Sequence, residues 1–123
     1  MFCDGMIRGI VLVALGGAAG SVGRYLVSRW LSGDMPWDTF MVNVIGSLLI
    51  GLLTGIVGRG ILSADMKLLL VTGFCGGFTT FSTFAYESFR MMRSGEALLF
   101  AAYVGMSVAA GLMAVYAGLK ISE

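Results

Sequence analysis

Four apolar stretches, each long enough to cross a lipid bilayer, follow one another with little between them. They cover about residues 6–31, 39–57, 66–92 and 97–119 of a 123-residue chain. A hydrocarbon core of roughly 30 Å takes about 20 apolar helical residues to cross. Four spans and their short connections therefore occupy all of 1–123 as one transmembrane domain and leave no length for a soluble one. Inside a bilayer every backbone polar group must find an internal partner, so the spans are expected to be helices. The predicted class is an all-α membrane protein of four transmembrane helices.

Charge agrees with this reading. Asp, Glu, Lys and Arg make up 12% of the residues, about half the share usual for soluble domains. The net charge of +1 gives no electrostatic reason to expect nucleic acid or an acidic partner. There is no His, and neither clustered Cys nor paired carboxylates supply an acid–base or metal constellation, so the chain is not expected to be an enzyme. Cys3 and Cys75 have no spacing that suggests a disulfide or a metal site and read as two free thiols. Arg8, the apolar run after it and the small residues Gly17, Ala18 and Ala19 imitate a signal peptide. The apolar pattern continues to Leu31, however, so this segment is expected to span.

The connections carry helix punctuation. Gly33, Gly60 and Gly95 suit C-terminal positions that need φ > 0. Ser63 and Ser94 are placed to cap the helices that follow. Trp30 and Trp37 fall at one boundary, where interfacial aromatics belong. With four spans, Arg8, Arg59, Lys67 and Lys120 fall on one side, and Arg24, Arg29, Arg90 and Arg93 on the other. Orientation follows a bias in such charges, and a four-against-four tally has none. The chain is expected to insert both ways and to pair as an antiparallel, dual-topology homodimer. Small and polar residues repeat every four positions at Asn43, Ser47, Gly51 and Gly55. Gly16 with Gly20, and Gly105 with Ala109 and Met113, partly continue the theme. Such stripes let helices approach closely, within one chain or between two.

The third span departs from a plain crossing at Gly73-Phe74-Cys75-Gly76-Gly77-Phe78-Thr79-Thr80-Phe81-Ser82-Thr83-Phe84. Glycine costs about 1 kcal/mol relative to Ala in a helix, and this stretch has three within five residues, followed by four hydroxyls. A helix broken at mid-membrane is expected, with unwound backbone over residues 76–80. Broken helices are where membrane proteins bind ions: freed carbonyls coordinate cations, and half-helix N-termini favour anions. Phe78, Phe81 and Phe84 recur every three residues and are expected to share a face, with the positive ring edges available to a small anion. Asn43 offers an amide donor, Tyr103 and Ser107 lie one turn apart, Arg24 comes late in the first span, and Glu87 lies one turn past Phe84.

This long motif closely resembles the signature of the CrcB/Fluc fluoride channels. So do Gly16-Gly17-x-x-Gly20-x-x-x-Arg24-Tyr25 and Asn43-x-x-Gly46. The resemblance implies a passive fluoride channel in the bacterial cytoplasmic (inner) membrane, lowering cytoplasmic fluoride through two parallel pores of an antiparallel homodimer. It implies a structural sodium ion at the dimer centre, held by backbone carbonyls of Gly76 and Thr79. It implies a fluoride path lined by Phe81 and Phe84, with Asn43 orienting groups along it, a polar track of Ser82, Thr83, Tyr103 and Ser107, and Arg24 at a vestibule. The rival is a small dual-topology, proton-coupled drug exporter. It needs a membrane-embedded carboxylate; the first span has none, and Glu87 is the only candidate in the chain.

Overall fold

Helix α1 (Phe2–Leu31) is uninterrupted. At 1.5 Å per residue its 30 residues extend about 45 Å, more than the hydrocarbon thickness. It is the first element of a computed structural model that describes residues 2–123. After it come α2 (Trp37–Gly58), the short α3 (Ala64–Lys67), a π-helical stretch (Leu68–Cys75), α4 (Gly76–Phe78), α5 (Ser82–Arg93) and α6 (Ala97–Ser122). The pieces from α3 to α5 form one segment, Ala64–Arg93. Together with the other three long helices it gives four segments long and apolar enough to cross a membrane. The chain is a multi-pass membrane protein.

Two helix pairs make up the bundle. The π-helical stretch and α4 pack chiefly on α1, whereas α6 packs chiefly on α2. Backbone contact governs both pairs. A Cβ added at Gly77 would stand 2.6 Å from the Gly17 carbonyl oxygen, and one added at Gly20 would overlap the Phe74 carbonyl. Gly51 and Gly118 meet the facing backbone of α6 and α2 in the same way. The glycines of the α2 stripe are thus used within the chain, as close-packed small residues are where lipid gives no hydrophobic drive. By contrast, Gly105, Ala109 and Met113 on α6 are all exposed.

Few side chains are buried. Val42 and Cys75 are the large ones sealed off completely, joined by Phe78, Met91 and Tyr103. Ile7, Ile10, Leu15, Val22, Leu98 and Leu112 stand open, with Trp30 (80%) and Trp37 (52%) exposed near one end. That balance suits lipid as the surrounding medium.

The connections depart from expectation at two points. Gly60 (φ +74°) and Gly95 (φ +80°) take the left-handed conformation, but Gly33 does not. There the chain reverses at Pro36 instead, where the Trp37 N–H donates to the Met35 carbonyl over 2.9 Å. Ser63 caps α3, accepting from the Met66 N–H at 3.2 Å. Ser94 caps no N-terminus. It closes α5 from behind, donating its N–H to the Arg90 carbonyl, because the left-handed turn at Gly95 separates it from α6. Two contacts tie the opposite end together: Arg8 pairs with Asp65, and Arg59 donates to the Ser122 carbonyl at 3.3 Å.

Gly20→Ala is expected to lower thermal stability in detergent by roughly 1–3 kcal/mol, because the new methyl group meets backbone that cannot yield. Gly5→Ala, which meets nothing, is expected to leave stability unchanged or raise it slightly. Melting curves of the two variants beside the parent check both.

Candidate functional site

An α-helix carries each N–H to the carbonyl four residues earlier. In the third span that ladder fails over residues 79–81, between α4 and α5. The expected break at 76–80 therefore lies further along. Gly76 and Gly77 remain helical because Gly77 is held flush against α1, and the first extended residue is Thr79 (ψ 160°). The eight residues before α4, Leu68–Cys75, are π-helical, a geometry that seldom persists and often marks a functional segment.

Several peptide groups at the break find partners other than the helical ones. The Thr79 N–H still reaches the Cys75 carbonyl at 3.1 Å, and its hydroxyl donates to the same oxygen at 2.9 Å. The Thr80 N–H, whose helical acceptor would be Gly76, donates instead to Asn43 Oδ1 at 2.8 Å. The amide of Asn43 donates back to the Thr80 carbonyl at 3.0 Å. One α2 side chain thus replaces both missing helical partners of Thr80. The Thr83 N–H, whose helical acceptor would be Thr79, turns to the Thr80 hydroxyl at 3.2 Å. Gly77 has lost its helical donor, Phe81, and its carbonyl accepts from Arg24 Nε at 3.1 Å.

These diversions leave defined groups unclaimed. Among the described residues, nothing hydrogen bonds to the carbonyls of Gly76, Phe78 and Thr79, or satisfies the N–H groups of Phe81, Ser82 and Phe84. Carbonyl oxygens end one half-helix, and amide hydrogens begin the next. The first end carries partial negative charge and the second partial positive charge. The groups of three or more His, Cys, Asp or Glu that usually hold a metal are absent among the described residues. A cation here would be bound by backbone oxygen, which suits a hard ion. Gly76 is exposed, and its carbonyl and that of Thr79 are unclaimed, the donor type that the expected sodium ion would need.

The aromatic residues divide. Because residues 79–81 are not helical, the three-residue spacing does not put Phe78, Phe81 and Phe84 on one face. Phe78 is buried and stacks on Phe74 with ring centroids 5.6 Å apart. Phe81 is 73% exposed and meets Phe84 edge-on at 6.0 Å, and Phe84 leans on Tyr103 at 5.2 Å. A groove brings Asn43, Ser47, Thr79, Thr80, Phe81 and Phe84 together. A second recess, beside Arg24, holds Thr80, Thr83, Asp38 and Thr39.

The expected polar track is less gathered than the aromatic pair. Thr83 faces the Arg24 recess. Ser82 is exposed at the start of α5 and lines neither cavity. The Tyr103 hydroxyl donates to Glu87 at 3.0 Å, with Thr39 beside both. Ser107 Oγ is buried with no hydrogen-bond partner among the described residues. The sequence pattern places Ser47 in helix packing, counts Thr80 only among the four hydroxyls of the motif, and gives no role to Thr39. The four-residue spacing of Ser47 from Asn43 was the available signal for the first.

Residues 11–119 match the family described as CrcB-like protein, Camphor Resistance (CrcB). The chain belongs to the CrcB family. Relatives named fluoride-specific ion channel FluC are similar along almost their whole length. That of Leptospira interrogans serogroup Icterohaemorrhagiae serovar copenhageni is 44% identical over 117 residues, 91% of this chain and 92% of the relative. That of Chlorobaculum tepidum is 46% identical over 122 residues, 96% and 97% of the two chains. That of Agrobacterium fabrum is 48% identical over 119 residues, 93% and 95%. In this CrcB protein the break, the Asn43 clasp and the aromatic pair all lie within the matched region.

Asn43→Asp keeps the shape and loses the donor to the Thr80 carbonyl. Two acceptors then face each other, at a cost of about 1–3 kcal/mol. Amide hydrogen exchange at Thr80 is expected to accelerate correspondingly, with little change in the middle of α6.

Proposed function

We propose that this CrcB protein is a passive, fluoride-selective channel of the bacterial cytoplasmic membrane that lets fluoride out of the cell. The observation that carries the reading is the interruption at residues 79–81, where an anion would meet unclaimed N–H groups beside the Phe81 and Phe84 rings. Fluoride is small and strongly hydrated, so entry requires donors that replace its water, and departure requires that none hold it too tightly. Amide hydrogens, ring edges and hydroxyls in sequence meet both needs. The path runs along Asn43, Phe81 and Phe84, continues by Ser82, Thr83, Tyr103 and Ser107, and is entered past Arg24. A cell interior that is electrically negative drives the anion outward at about 2.3 kcal/mol per 100 mV. No step changes a covalent bond, so the protein is not an enzyme.

The working unit is an antiparallel homodimer with its break at mid-membrane. Balanced charge supports insertion in both orientations, and the exposed Gly105, Ala109 and Met113 support a close helix contact outside the chain. Arg24 hydrogen bonds at the break rather than at a loop, which changes the tally only to four against three. A sodium ion at the dimer centre is held by the Gly76 and Thr79 carbonyls of both copies. When bound it supplies fixed positive charge near the path and a common ligand for two broken helices. The proton-coupled exporter is not favoured, since the first span has no carboxylate between Met6 and Leu31.

The test is efflux from liposomes loaded with fluoride or chloride. Fluoride is expected to leave quickly and chloride to stay. Phe81→Ile and Phe84→Ile are each expected to cut fluoride efflux at least tenfold, about the effect of removing 1.4 kcal/mol of ion stabilisation, while particle size is unchanged. Equal release of both anions from the parent protein overturns the reading. In a separate measurement, replacing sodium with a bulky organic cation during purification is expected to shift the particles toward monomer or lower their melting temperature. If neither changes, the central cation is dropped from the proposal.

A further inference from the structure

We propose that Arg24 is a positioning residue for conduction: its Nε–H takes the place of the missing Phe81 N–H at the Gly77 carbonyl and holds the two half-helices in register. The inference rests on the channel reading above but concerns which atom of Arg24 matters. An arginine near an anion path is ordinarily read as a charge that draws anions in. Here the Nε atom, not the tip of the fork, makes the contact of 3.1 Å. Nε is the least reachable donor of a guanidinium and the one fixed most directly by the side chain's own packing. Its acceptor is one of two carbonyls from Cys75 to Thr80 that a side chain of another helix claims, the other being Thr80 on Asn43.

The surroundings place Arg24 for this contact. Gly17 and Gly20 bring α1 against the backbone of Phe74 and Gly77. A Cβ added at Gly23, next to Arg24, would lie 3.4 Å from the Phe78 ring. Arg24 is half-buried in that seam, so its hydrogen bond is partly shielded from water, which strengthens a charged donor. A cation at the C-terminal end of α4 also opposes the negative end of the helix dipole. Asn43 clasps the break from α2, two residues beyond Phe78, and Arg24 clasps it from α1, one residue before. The spacing of the Gly76 and Thr79 carbonyls and the setting of the Phe81 ring are fixed between these two clamps.

Two substitutions separate the donor from the charge. In Gln the amide nitrogen is bonded to Cδ, as Nε is in Arg, so Arg24→Gln keeps a donor at the same place and loses the charge. In Lys that place is a methylene, so Arg24→Lys keeps the charge and loses the donor. The measurements are fluoride efflux from liposomes over a range of fluoride concentrations and amide exchange across residues 77–83. Arg24→Gln is expected to keep the exchange rates of the parent and at least a third of its maximal efflux, with the main loss at low fluoride. Arg24→Lys is expected to exchange faster over that segment and to lose maximal efflux about tenfold or more at every concentration, the size of effect that follows from losing a charged donor. Should Arg24→Lys fail to purify, Arg24→Met, which lacks both donor and charge, is compared with Arg24→Gln in its place. The proposal is overturned if Arg24→Lys matches the parent in exchange, or if Arg24→Gln loses maximal efflux as Arg24→Lys does. A parent protein that releases no fluoride refutes the channel reading instead, and the exchange comparison still decides whether Arg24 holds the break.

Discussion

A carboxamide side chain and a peptide group have the same donors and acceptors, and Asn43 uses that equivalence to hold Thr80. It accepts from the Thr80 N–H and donates to the Thr80 carbonyl, so Thr80 itself leaves the helix without abandoning either of its backbone hydrogen bonds. An unpaired peptide group there would cost several kcal/mol. Without such a clasp the least costly course for residues 79–81 would be to rejoin the helix. The unclaimed carbonyls of Gly76 and Thr79 then exist only because their usual donors are committed elsewhere: the Thr80 N–H to Asn43, and the Thr83 N–H to the Thr80 hydroxyl.

The rest of the fold can be read as support for that clasp. Close glycine contacts bring α1 against the first half of the third span and α2 against α6. They fix the depth at which Asn43 and Arg24 meet the break. The break in turn separates Phe78, which faces inward, from Phe81 and Phe84, which line the groove. In the proposed channel this is how one interruption serves two ions of opposite sign. A half-helix ending in carbonyls and another beginning with amides lie within a few residues of each other.

The family membership and the architecture reinforce each other through particular residues. The relatives named as fluoride channels align over more than nine-tenths of this chain, and the matched region holds every residue of the clasp. The small buried core and the long exposed apolar faces belong to a chain whose packing, in the proposal, lipid and a second copy complete.

Much of this was legible without coordinates. Span number, the loops, the turns at Gly60 and Gly95, the cap at Ser63 and the existence of a break all followed from hydrophobic length and local propensity, because those depend on neighbours in sequence. The exact place of the break did not. Gly76 and Gly77 look like poor helix formers, yet they stay helical because α1 packs on Gly77. Nor could spacing show that Phe78 parts from Phe81, that Ser94 closes a helix rather than opening one, or that Arg24 reaches for Gly77 across 53 positions of sequence. These depend on which surfaces meet in space. What the chain's own order of residues determined was that the third helix must break; what tertiary contact decided was where, since only a partner from another helix can replace a hydrogen bond that the helix itself gives up.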